Sequence, residues 1–174
     1  MAPPIQKLLT ARSIPALGPG PRPGALSIRE IEEMIDQSAS EVESPLQREL
    51  TRALVYLWND HLDQAHSIAQ TIENNDGSYL HAIVHRREPD YSNARYWFHR
   101  VGKHAVFAAL AERVGKTIPA SDDLRHRLLP KGTWDPFAFV DCCEKAARAQ
   151  NNDSKLLEQI QAEEFHLLLS YFLT

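Results

Sequence analysis

From Ser27 onward, apolar residues recur along the chain at intervals of three and four, the spacing that puts them on one face of an α-helix. Ser27 and Glu30 form an S-x-x-E capping box ahead of Ile28, Ile31, Met34 and Ile35, and Ser44 with Pro45 and Gln47 opens a second helix in the same way. That second helix is predicted over residues 45–59, with Leu46, Leu50, Ala53, Leu54 and Leu57 on one face. A third is predicted over 62–72. The run Asn74-Asn75-Asp76-Gly77 reads as a stop, so a fourth helix is expected from Ser78 to Glu88, ahead of Pro89. Asp90 is placed to cap a fifth over 91–101, closed by Gly102. A sixth is predicted over 105–114, a short turn over 122–129, a helix beginning at Pro136 behind Asp135, and a last one opening at Asp153 or Ser154. No window alternates with period two, so strands are not expected. The fold class is all-α, a compact domain of about seven to nine helices.

The segment before Ser27 follows another rule. Six of the eleven prolines lie in the first 23 residues, and the run GPGPRPG at 18–24 can neither hold a helix nor pair as a central strand. Residues 1–26 are therefore expected to be a disordered arm, and 27–174 a single helical domain. GPGPRPG is no phosphate loop, because its prolines remove amide donors and no strand precedes it. Residues 5–14 (IQKLLTARSI) are weakly amphipathic, basic and free of acids. They leave an organelle transit peptide open beside the plain arm, whereas the lack of a continuous apolar core argues against a secretory signal and for a cytoplasmic protein.

Composition and charge narrow the partners. The chain has 174 residues, 43% hydrophobic and 24% charged, with a formal charge of −4. The arm carries Lys7, Arg12 and Arg22 and no acid, so the body is more acidic than the total. Such a balance argues against nucleic acid, which selects a basic stripe, and no apolar run is long enough to span a membrane. Cys142 and Cys143 are adjacent in a helical pattern and read as packing residues rather than a disulfide. Residues 78–104 reverse the sign: five Arg and Lys stand against Glu88 and Asp90. This basic island predicts a small anionic ligand or an acidic peptide surface as the partner.

Two helix pairs align at an offset of 29, matching Ala53 with Ala82, Leu62 with Tyr91, Ala65 with Ala94, Ala69 with Phe98 and Ile72 with Val101. Small residues at helix crossings and bulky ones at tight turns suit helical hairpins. The segment DYSNARYWF at 90–98 resembles the second helix of tetratricopeptide and Sel1-like repeats, although alanine replaces the usual first-helix glycine and the period is shorter than the ~34 of that family. The resemblance covers residues 45–101 and implies a hairpin scaffold for protein interaction. WNDHLD at 58–63 and HRREPDY at 85–91 also resemble a family of small, largely uncharacterised bacterial and fungal proteins, a likeness that implies no particular activity.

The chemistry concentrates in the same stretch. Six of the eight histidines (His61, His66, His81, His85, His99 and His104) fall between Tyr56 and Phe107, and histidine is both the side chain that titrates near neutrality and the commonest metal ligand. Ser78, His81, His85 and Glu88 are spaced three, four and three apart, so one helix face carries them, opposite Leu80, Ile83, Val84 and Arg87. Three readings are open for that face. It is a solvated helix surface; or His85, Glu88 and His81 do acid–base work while Arg86, Arg87, His66, Asn93 and Trp97 hold a ligand; or His81 and His85 bind a metal with Glu88 or His66 as third ligand. The HEXXH glutamate is absent, since Ala82 stands there. Tyr96, Trp97 and Phe98 spread over about 200° of a helix, so either flanking helices pack against all three or, with Phe98 in the core, Trp97 or Tyr96 lines a groove. A site requires His66, His81, His85 and Glu88 to converge; a docking scaffold requires them to line an open surface. Cofactor and oligomeric state are not legible.

Overall fold

The computed structural model describes residues 5–9, 13–149 and 153–174. Among them are nine α-helices and no strand: α1 (Ile28–Gln37), α2 (Pro45–Trp58), α3 (Leu62–Ala69), α4 (Asn75–Arg87), α5 (Tyr91–Val101), α6 (Ala105–Thr117), α7 (Asp123–Leu128), α8 (Pro136–Ala149) and α9 (Asp153–Phe172). The capping boxes at Ser27 and Ser44 form as the sequence predicts, each with its backbone and side-chain bonds in both directions. Asp90 and Asp122 cap α5 and α7.

α2 packs against α3 and α4 against α5, giving two hairpins joined by the α3–α4 contact. The alanines at the matched positions, Ala53, Ala82, Ala65 and Ala94, are all fully buried, where the absence of a longer side chain lets the backbones approach. α9, 20 residues long, runs behind both halves of the molecule. Its Phe165, Leu168, Leu169 and Phe172 join the core of α1–α5, while its Leu157 and Ile160 join a second apolar cluster with α6, α7 and α8.

Two expectations are corrected. Asn74–Gly77 begins a helix instead of ending one: the Asn74 side chain accepts the Gly77 N–H at 2.8 Å, and α4 starts at Asn75. Asparagine serves both as a turn former and as an N-cap, and the sequence does not say which role wins. Glycine at 77 is required by proximity, since a Cβ there would lie 2.1 Å from the Ile72 carbonyl oxygen. Gly77→Ala is expected to lower the unfolding free energy by about 1–3 kcal/mol, the cost of overpacking against backbone, read as a shift in the urea midpoint.

The proline-rich arm is also not free. Ile5, Leu8 and Leu9, in a 3₁₀ turn, are buried in the main core. Residues 13–26 lie along the body: Gln161 donates to the Pro15 and Ala16 carbonyls, Arg87 to the Gly18 carbonyl, and the Arg22 backbone and guanidinium to Asp60. Prolines and glycines exclude regular ladders, but side chains from the body satisfy the backbone groups instead. Residues 10–12 of the basic stretch lie outside the described residues.

Candidate functional site

α4 was expected to show one polar and one apolar face, yet every residue from Gly77 to Arg87 is buried. The reason is its position: α2, α3 and α5 all pack on it, and Tyr79 and Arg86 reach Glu164 of α9. The histidine row therefore faces protein. His81 and His85, one turn apart, meet His66 from α3, and a nitrogen from each of the three lies within 4.8 Å of the others. His81 Nε2 is 2.8 Å from His66 Nε2, so one nitrogen donates and the other accepts. The His81 and His85 rings stack, and the other face of His81 lies on Trp97 at 3.9 Å between centroids. His81 and His85 are each more than nine-tenths buried, with the Nδ1 atoms of both lacking a hydrogen-bond partner.

Glu88 closes the cluster on its outer side. Its carboxylate lies 3.2 Å from His85 Nδ1, an ion-pair distance without hydrogen-bond alignment, and 3.9 Å from His66 Nδ1. Asp90 is 3.9 Å from His85 Nδ1. Glu88 also lines a cleft of about 470 Å³ between the Pro19–Pro21 strap and α3, shared with Asp60 and Asp63. Of the three histidines only His66 is half-exposed, and Glu88 is the residue beside them that opens on this cleft.

This packing sets the protonation. Burial, with the neighbouring His66 and His85 adding to it, pushes the His81 pKa down to about 4. His85 is also lowered by burial, with Glu88 and Asp90 opposing. Both rings are neutral near pH 7, with lone pairs available. The unfolded chain, with His81 near 6.5, binds the proton first, so His81 contributes stability that is complete above about pH 6.5 and is lost as pH falls toward 4. In chelator-treated protein, the urea midpoint is expected to fall over that window. The part due to His81 is the difference from His81→Leu, whose decline should be shallower.

The remaining predicted residues separate. Arg86 and Arg87, expected as ligand-binding cations, are fully buried and turned away from the histidines. Arg86 pairs with Glu164 at 2.5 Å, bonds Gln161 and lies over Phe139; Arg87 bonds the Leu57 carbonyl and pairs with Asp60 at 2.7 Å. Neither guanidinium is free for an anion, because adjacent residues on a helix point about 100° apart and the core supplies carboxylates on those bearings. Asn93 is exposed and holds the Asp90 carboxylate at 2.6 Å. Phe98 enters the core, Trp97 covers His81 and Tyr96 is exposed.

The other clustered histidines do local work. His61 Nε2 bonds the Leu26 carbonyl, His99 packs on Phe137, and His104 caps α6 while its Nε2 meets Asp76. Sequence reasoning missed Asp60, Gln161 and Glu164. A signal existed for the last two, which share the α9 stripe with Leu157 and Leu168 at helical spacing. Compared with known proteins, the chain matches no protein-family model, no curated protein and no solved structure.

Proposed function

We propose that the protein binds a divalent transition metal, zinc by the nature of the donors, through His66, His81 and His85. The observation that supports this is the approach of three imidazoles, those of His81 and His85 buried and neutral, to within 4.8 Å of one another. A tetrahedral zinc with Zn–N of about 2.0–2.1 Å spaces its nitrogens by about 3.3 Å, so small side-chain rotations suffice to bring the three onto one ion. Neutral rings carry the lone pairs that a metal needs, and the pKa of about 4 at His81 keeps protons from competing near pH 7. Glu88 stands where a carboxylate orients ligating histidines or takes the fourth position. Three histidines next to Glu88, which itself lines a solvent cleft, fit an ion with one open position, which supplies Lewis acidity to whatever binds there.

A second reading, acid–base chemistry by His85 and Glu88 without a metal, is favoured by their 3.2 Å contact. The anionic-ligand version of that reading has lost its two cations to the core.

Titration of chelator-stripped, full-length protein with Zn2+ and Co2+ separates the two. One equivalent should bind, and Co2+ should give the visible absorption of a four-coordinate nitrogen site. Failure of both ions to bind at millimolar concentration would leave the acid–base pair as the better account.

A further inference from the structure

A second cleft, of about 570 Å³, lies between α6, α8 and the loop that precedes α8. Its volume is that of a small-molecule site. Phe107, Ala108, Ala111, Trp134 and Phe137 line it, and Phe107, Ala111 and Phe137 are only partly buried while Ala108 is exposed. Apolar surface left open in a concavity is where an apolar body gains most by binding.

Its polar groups have one sign. Two titratable side chains line the cleft, Lys103 and His104. His104 is committed at both nitrogens, with Nδ1 accepting the Val106 N–H at 3.2 Å and Nε2 on Asp76 at 2.9 Å. Asp135, just before α8, is spent on the Phe137 and Ala138 N–H groups. Lys103 is exposed, and no ion pair engages it among the described residues. It precedes the 13-residue α6, whose first turn adds positive potential at the same end of the cleft. Trp134, almost wholly buried, carries an indole N–H without a partner.

The geometry points to a binding site for a small amphipathic carboxylic acid. The apolar body lies against Phe107, Ala108, Ala111 and Phe137, and the carboxylate takes the Lys103 ammonium. The site is separate from the histidine cluster and does not depend on a metal there.

Full-length protein is titrated calorimetrically with decanoate and with 1-naphthaleneacetate, each beside its uncharged primary amide. Saturable one-to-one binding of at least one acid is expected, about tenfold tighter than its amide, as a charge-assisted contact gives. The two acids distinguish an aliphatic from an aromatic body. Lys103→Met should bring the acid down to the affinity of the amide, and Ala108→Trp, at an exposed position, should block both, with the helical circular dichroism of each variant unchanged. The inference is overturned if neither acid saturates by millimolar concentration, if acid and amide bind alike, or if acid binding survives both substitutions.

Discussion

His81→Leu is expected to weaken Zn2+ binding by at least about a hundredfold while the helical content stays unchanged. Structural zinc sites bind with roughly 10–16 kcal/mol spread over their ligands, so one ligand of three carries enough for two or more orders of magnitude. Leucine is close in volume to histidine and keeps an apolar surface against Trp97, so the packing that the imidazole supplies is retained. His66→Leu and His85→Leu should behave alike, because each removes one of the three converging nitrogens. Glu88→Gln should cost less, about 10–100-fold, if its carboxylate acts by orienting His85 and His66. His61→Leu is the control: this histidine comes from the same stretch of chain but is tied to the Leu26 carbonyl, and it should leave the affinity unchanged. Calorimetry on the five variants reads the whole series. Equal affinities for wild type and the three histidine variants would sink the metal reading.

How far the sequence foretold this site depended on distance along the chain. Much of what lay within one helix was legible, such as the capping boxes at Ser27 and Ser44 and the shared side of His81 and His85, although the start of α4 and the burial of its polar face were not. His66 was named as one of two third ligands, but choosing it over Glu88 required the angle at which α3 crosses α4, and that angle is set by packing rather than by spacing. The arginines show the opposite failure. Beside His85 in sequence they look like part of a basic island, yet their partners are Glu164, 78 residues away, and Asp60, 27 away. Charge counting sees neighbours in sequence, while a long flexible guanidinium pairs with whatever carboxylate the fold brings within reach. The arm illustrates the same limit. Its proline content forbids regular structure, but Ile5, Leu8 and Leu9 at helical spacing anchor it to the core, and α9 supplies the donor that holds Pro15 and Ala16.

Removal of the Glu164 carboxylate is expected to be the most destabilising single change in this region, lowering the unfolding free energy by about 3–5 kcal/mol in Glu164→Leu. The carboxylate is nearly inaccessible and serves two groups, accepting from the two terminal guanidinium nitrogens of Arg86 and from the Tyr79 hydroxyl at 3.0 Å. Leucine leaves a positive charge buried without compensation and a phenol without an acceptor, and each is costly in a low-dielectric interior. A loss of that size is a large part of the 5–15 kcal/mol typical of a domain. The double variant Arg86→Met/Glu164→Leu should be more stable than Glu164→Leu alone, because it removes the orphaned charge together with its partner. Urea unfolding of the two single variants and the double gives the coupling directly, and near-additive losses would mean that the pair is not the source of the effect. The consequence for the site follows from the chain itself. Arg86 is the residue after His85, and through Glu164 it fixes the C-terminal turn of α4 to α9. Loosening that turn frees the His85 ring and Glu88 from a common frame, so Glu164→Leu should also weaken metal binding although Glu164 is not among the three histidine donors. The double variant, which refills the core, should restore the stability more completely than the affinity, since methionine packs but does not hold a register between two helices.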